Sequence, residues 1–104
     1  MKRGEVWWAE LPPPAGRRPI VLISRDAAYA VRLSITVAPV TRTIRDIPVE
    51  VPLGLEDGLP ARCVVNVDDL TTIPKSSLRQ LISALSSARL AEIDAAIRFA
   101  LDLA

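Results

Sequence analysis

The 104-residue chain contains no histidine at all. That absence excludes Ser-His and Cys-His nucleophile pairs within one chain, and it removes a common zinc ligand. A single cysteine, Cys63, can form neither an internal disulfide nor a metal-binding Cys cluster. It sits in the segment Ala61–Val67, where it reads as a small buried hydrophobe rather than a reactive thiol. The four glycines, Gly4, Gly16, Gly54 and Gly58, have neither the phosphate-loop nor the dinucleotide spacing. No stretch is long enough to span a membrane. No apolar run follows the opening Met-Lys-Arg-Gly-Glu, so no signal peptide is expected and a cytoplasmic protein is. Any catalysis must therefore use Arg, Lys, Asp, Glu, Ser, Thr or Tyr.

What is present is a chain that is 50% hydrophobic, enough for a globular fold, and short enough to be one domain over residues 1–104. Its net charge of +1 hides a strong asymmetry. Residues 1–45 carry eight basic and three acidic side chains, 8 − 3 = +5, and residues 46–104 carry five basic and nine acidic, 5 − 9 = −4. Seven of the eight N-terminal cations are arginines, whose planar fork suits phosphate. A polyanion facing the N-terminal half is one reading, and a solvated surface with chance asymmetry is the other.

The patterning predicts mostly short strands. Gly4–Glu10 alternates loosely around Val6 and Trp8, and Pro19–Ser24 is a near-continuous apolar run, as in a strand buried on both faces. Between them Leu11–Gly16 holds three consecutive prolines and must be a loop. Arg25–Val31 reads as a connector with room for one helical turn. Ser34–Val40 is β-branched, Ile47–Val51 alternates, and Ala61–Val67 returns as a strand. Thr41–Arg45 and Gly54–Pro60 read as turns, and Asp68–Ser77 as irregular. Leu78–Leu85 fits either a last strand or the run-in to a helix. From Ala88 onward Leu90, Ile93, Ile97 and Leu101 fall at helical spacing, with Ser86 or Ser87 as N-cap. This order predicts a mostly β fold with a C-terminal helix, in which a compact barrel carries the helix on its surface.

Three N-terminal blocks, taken in order, resemble a known family. They are Lys2-Arg3-Gly4-Glu5-Val6-Trp7-Trp8, Gly16-Arg17-Arg18-Pro19-Ile20-Val21-Leu22-Ile23-Ser24, and Ile35-Thr36-Val37-Ala38-Pro39-Val40-Thr41. Together with a weaker match at Arg62–Leu70 and the terminal helix, the chain is similar to the MazF/PemK/Kid toxins over nearly its whole length. The resemblance implies an SH3-like barrel, a homodimer and sequence-selective cleavage of single-stranded RNA without a metal or cofactor. It also implies 2′,3′-cyclic phosphate and 5′-OH products, growth arrest, and an antitoxin partner whose C-terminal segment blocks the substrate groove. Residue by residue, the family's catalytic Arg falls on Arg18 and its catalytic Thr or Ser on Thr41. The first loop, Pro12–Gly16, is shorter than in many relatives, and the glutamate that some of them carry there has no counterpart.

The chemistry suits those residues. Arg18 can give two hydrogen bonds to the phosphate oxygens of a charged phosphorane, but its pKa of about 12.5 or above makes it a poor base. Thr41 can donate to the same oxyanion, or merely cap a turn. Arg17 and Arg42 are candidates for phosphate positioning, with Arg25 as a further RNA-binding cation. Trp7 and Trp8 point to opposite faces of a strand, so one serves the core while the other, Trp8 by preference, stacks on a base or packs at a dimer interface. Asp68 and Asp69 lack the companions a metal site requires and suit a turn. Two other functions compete: a toxin of the same fold that binds a protein target, as a CcdB-like gyrase poison does, and a non-catalytic RNA-binding module.

Overall fold

The computed structural model describes residues 1–104. The elements are β1 (Glu5–Glu10), β2 (Arg17–Leu22), α1 (Ala28–Val31), β3 (Ser34–Thr41), β4 (Glu50–Leu53), β5 (Cys63–Asn66), β6 (Thr71–Pro74), β7 (Leu78–Ala84) and α2 (Ser87–Leu101). The strands lie in the order β4-β5-β3-β2-β1-β7, with β6 paired to β3, and every pairing is antiparallel. No helix is long and apolar enough to cross a membrane.

Strand β3 is the hub. Its first residues, Ser34–Val37, pair with β6; Val37–Pro39 pair with β2; Val40 and Thr41 pair with β5. One long strand thus belongs to both halves of the fold, which curls the sheet around a core. Strand β2 is buried on both faces, as its apolar run predicts. Val21 faces a core shared with Val51, Val65 and Ile93, while Ile20 and Leu22 face a second core with Tyr29, Ile35 and Ile73.

The C-terminal stripe packs on the first of these cores. Ile93 and Ala96 are buried, and Ile97 and Ala100 pack partly against them. Ser86 is the N-cap, its hydroxyl accepting the Arg89 N–H at 3.2 Å. Leu101, placed on the same stripe by its spacing, is instead 54% exposed. The helix ends there, because Asp102 turns left-handed at φ 56°. Gly4, at φ +91°, brings β1 close under α2, since a Cβ there would lie 2.8 Å from Leu90.

Two further expectations change. Alternation over Ile47–Val51 predicts a half-buried strand, but β4 begins only at Glu50, with Ile47 exposed and the acidic side chain buried. Glu50 turns inward because its carboxylate accepts two backbone N–H groups of the preceding loop, from Arg45 at 2.8 Å and Asp46 at 3.1 Å. Asp68–Ser77 is not irregular throughout, since it contains β6. That strand has one buried side chain, Ile73, and ends in Pro74, so it leaves no alternating trace. Leu78–Ala84 is the last strand rather than a helical run-in. Asp68 and Asp69 belong to a turn capped by Asn66, whose side chain accepts the Asp68 N–H and donates to the Asp69 carboxylate.

Candidate functional site

The β1–β2 hairpin sets Trp8 opposite Pro19, Ala9 opposite Arg18 and Glu10 opposite Arg17. Its loop closes through the Leu11 N–H to the Gly16 carbonyl at 3.0 Å, with Gly16 at φ +62°. Side chains alternate along a strand, so Arg17 and Pro19 share one face with Trp8, while Arg18 shares the other with Ala9. The contacts agree with this. The Arg17 guanidinium lies 5.0 Å from the centroid of the Trp8 ring, within cation–π range.

Trp8, Pro19, Thr41, Arg42, Pro60 and Cys63 line a small cleft of about 100 Å³. Its walls come from β1, β2, the end of β3 and the connection from β4 to β5, so residues distant in sequence close around one apolar floor. Of the two tryptophans, Trp7 packs partly against the second core and donates its indole N–H to the Glu5 carboxylate at 3.0 Å. Trp8 is the one that faces the cleft. Larger hollows elsewhere are lined by Pro52–Glu56 with Pro60–Arg62, or by Glu56, Asp57 and Arg89. They gather no comparable set of free cations.

Thr41 is half-buried at the last position of β3. Its hydroxyl oxygen accepts the Thr43 N–H at 3.1 Å, which leaves the hydroxyl proton free to donate outward. Arg42 follows it, exposed. Arg18 is half-buried on β2, and its Nε–H is sealed from solvent without any acceptor. Buried donors are nearly always satisfied, so an unmade bond here marks a place where an acceptor is missing. Arg17, Arg18 and Arg42 form no ion pairs, whereas five carboxylates of the acidic half (Glu50, Glu56, Asp57, Glu92 and Asp94) are engaged by Arg3, Arg45 and Arg89. The fold therefore leaves uncompensated positive charge at the hairpin and the end of β3.

Arg18 does not line the cleft. It lies on the opposite face of β2 from Pro19. The β2–β3 ladder ends at Ile20↔Pro39, so Arg18 and Thr41 each lie two residues beyond it, and Thr41 pairs instead with Val64 of β5. Arg25 is not brought to this group; it is exposed at the far end of β2, in the connector to α1. Cys63 floors the cleft, but burial, reinforced by Asp57, pushes its thiol above the ordinary value, so it stays protonated and inert. Pro60 and Ala61 are wall residues that sequence reading does not single out. A turn composition marks them as loop and says nothing about which cleft the loop closes.

A small curled sheet with a terminal helix, exposing arginines and one aromatic around a narrow cleft, is a fold and site suited to holding a polyanionic chain. Comparison with known proteins gives the class its family. Residues 2–101 match the PemK-like, MazF-like toxins of type II toxin–antitoxin systems. Among curated relatives, the probable endoribonuclease MazF5 of Mycobacterium tuberculosis is 40% identical over 101 residues, covering 96% of this chain and 92% of that protein. The probable endoribonuclease MazF2 of the same organism is 39% identical over 93 residues, covering 88% and 89%. Among solved structures, the Mycobacterium tuberculosis toxin MazF-mt6 superposes with a TM-score of 0.89 at 31% identity, covering 96% of this chain and 98% of that one. An endoribonuclease in complex with its cognate antitoxin, from a mycobacterial species, superposes with a TM-score of 0.89 at 28% identity, covering 100% and 97%. The chain belongs to the MazF/PemK toxins, a family of endoribonucleases, and its SH3-like barrel with a C-terminal helix is the fold of that family.

Proposed function

We propose that this protein cleaves single-stranded RNA at selected sequences without a metal ion, as the toxin of a toxin–antitoxin pair, and so arrests growth. The observation that carries the reading is the Arg18 Nε–H, buried and without an acceptor, on a hairpin that also carries the unpaired Arg17, with Thr41 and the unpaired Arg42 at the end of β3. In the reaction the RNA 2′-OH gives up its proton as its oxygen attacks the adjacent phosphorus, the bond from phosphorus to the 5′-oxygen breaks, and that oxygen takes up a proton, so that none is gained or lost overall. The products are a 2′,3′-cyclic phosphate and a 5′-OH. Arg18 binds the phosphate oxygens and stabilises the charge that builds on them, and the free Thr41 hydroxyl proton donates to the same oxyanion.

Arg17 and Arg42 position flanking phosphates, and the Trp8 face, already held by Arg17, stacks a base. Arg25 reaches only an RNA strand that continues along β2. Two copies of the chain would extend this short cleft into one groove. The solved toxin–antitoxin complex of a relative supports an antitoxin segment as the partner that covers it.

Purified protein incubated with end-labelled RNA in excess EDTA tests the reading. Cleavage with 2′,3′-cyclic phosphate ends is the expected result. Intact RNA that stays tightly bound would identify a non-catalytic RNA-binding module instead. Intact RNA with inhibited gyrase supercoiling would identify a protein-targeting toxin. A monomer in sedimentation at micromolar concentration would refute the shared groove.

A further inference from the structure

Glu50 is the one acidic residue buried as a whole, its side chain being 1% exposed. One carboxylate oxygen, Oε1, accepts the N–H groups of Arg45 and Asp46 at 2.8 and 3.1 Å. The other, Oε2, is buried without a hydrogen bond, and its nearest cation is Arg45 Nε at 3.7 Å. The Glu50 N–H in turn donates to the Ile47 carbonyl at 2.9 Å, which closes the turn from the other side. Asp46 holds φ at 58°, a left-handed conformation unfavourable for a side chain other than glycine. Two successive N–H groups aimed at one buried carboxylate are what keep the backbone in that conformation, because an N–H bond to a charged acceptor is about twice as strong as a neutral one.

The segment so held is the loop from Arg42 to Val49. It leaves β3 directly after Thr41 and carries Arg42, which lines the cleft, and the exposed Arg45. The Thr41 backbone is held by the pairing of β3 with β5 at Val64, and its hydroxyl meets the loop only at the Thr43 N–H, ahead of the two N–H groups that Glu50 grips. Arg18 stands on β2, outside the loop.

We infer that Glu50 is a positioning residue of the RNA groove: its buried carboxylate fixes the Arg42–Val49 loop and so sets where the Arg42 and Arg45 cations stand against the RNA backbone. This rests on the reading of the site as an RNA-cleaving one. Because the clamp acts on flanking cations and not on Arg18 or Thr41, its loss weakens substrate binding while sparing the chemical step.

Two measurements on Glu50→Ala, Glu50→Asp and Glu50→Gln test the clamp, at a temperature where each is folded by circular dichroism. Amide hydrogen exchange by NMR reads the clamp itself. Steady-state cleavage of a short RNA reads its consequence. Glu50→Ala is expected to speed exchange at Arg45 and Asp46 and to raise KM about 10-fold, with kcat within roughly 3-fold of wild type. Glu50→Asp, one methylene too short, behaves like Ala. Glu50→Gln keeps a carbonyl oxygen facing both N–H groups and recovers most of the KM and the slow exchange. Unchanged KM in a folded Glu50→Ala, or an equal loss in KM and kcat with no rescue by Gln, overturns the assignment. If the wild-type protein cleaves no RNA, the nuclease reading fails on its own, and unchanged exchange at Arg45 and Asp46 in Glu50→Ala then decides against the clamp separately.

Discussion

The Thr41 hydroxyl oxygen accepts the backbone N–H of Thr43 at 3.1 Å, two residues further along the chain. The bond caps the turn that ends β3, and it also decides what the hydroxyl can still do. With the acceptor side engaged and no protein acceptor for the proton, Thr41 is a fixed donor aimed away from its own turn. Turn cap and catalytic donor are thus one geometry rather than alternatives.

Thr41→Val removes the hydroxyl and keeps the β-branched shape. It is expected to lower kcat about 100-fold, the lower end of the range for one preorganised donor, with a stability loss of no more than ~1 kcal/mol for the missing cap. Thr41→Ser keeps both functions and should retain most activity. A Val variant as fast as wild type in a single-turnover assay would restrict Thr41 to its cap.

Arg18 carries a sharper expectation because its Nε–H is unsatisfied in the folded protein. Arg18→Ala should reduce kcat by about 10²–10³, equal to roughly 2.7–4 kcal/mol of barrier. Its thermal midpoint should not fall, since no internal hydrogen bond or ion pair is lost. Arg18→Lys should restore little, because an ammonium cannot reproduce the two-point contact with phosphate. Single-turnover rates and melting curves on the same preparations check both halves. Wild-type rates in Arg18→Ala would remove Arg18 from the chemistry.

Tyr29 gives a pH signature unrelated to the site. Burial, reinforced by Asp26, pushes its phenol from 10.0 up to about 12, while its hydroxyl donates to the Ser24 carbonyl at 2.9 Å. Between those values the unfolded chain releases the phenolic proton and the folded chain keeps it. The contribution of Tyr29 to stability is therefore complete below pH 10.0 and falls as pH rises towards 12. Urea midpoints measured across that window should drop for wild type, and the drop should be smaller in Tyr29→Phe. Equal slopes in the two proteins would contradict this.

Arg89 joins α2 to the Leu55–Asp57 turn. It meets Asp57, Glu56 and Glu92, each at 3.0 Å, and these carboxylates hold its guanidinium protonated well above the ordinary value, Asp57 most of all. The Asp57 side chain is nearly buried, whereas Glu56 and Glu92 are largely exposed, so most of the value lies in the first pair. Arg89→Ala strands the Asp57 charge and should cost ~2 kcal/mol, roughly 10 °C in Tm. Arg89→Asn with Asp57→Asn in the same chain should recover part of that loss. A calorimetric midpoint unchanged in the single variant would mark the cluster as surface decoration.

Much of the fold was legible because local burial leaves a local trace. The Pro19–Ser24 run announced a buried strand. The Leu90, Ile93, Ile97 and Leu101 spacing announced α2, and Ser86 or Ser87 its start. The concentration of arginine before residue 46 announced the charged half, and the three N-terminal blocks announced the family. Strand β6 was not legible, because a four-residue strand with one buried side chain lacks a period to detect.

Glu50 was misplaced for a related reason. Alternation assumes that the side chain between two buried valines faces water, and here two backbone N–H groups hold it inside between Val49 and Val51.

The chain's composition and patterning by themselves settled its secondary-structure class and the chemistry open to it without histidine, and the family resemblance pointed to Arg18 and Thr41 as candidates. Tertiary structure alone decided that Trp8 rather than Trp7 faces the cleft, that Pro60 closes it, and that Arg25 stands apart. It also left the Arg18 Nε–H without an acceptor and put a carboxylate behind the Arg42–Val49 loop. Those outcomes depend on which strands pair and which faces meet across long stretches of chain, and periodicity within one segment carries no information about its partner.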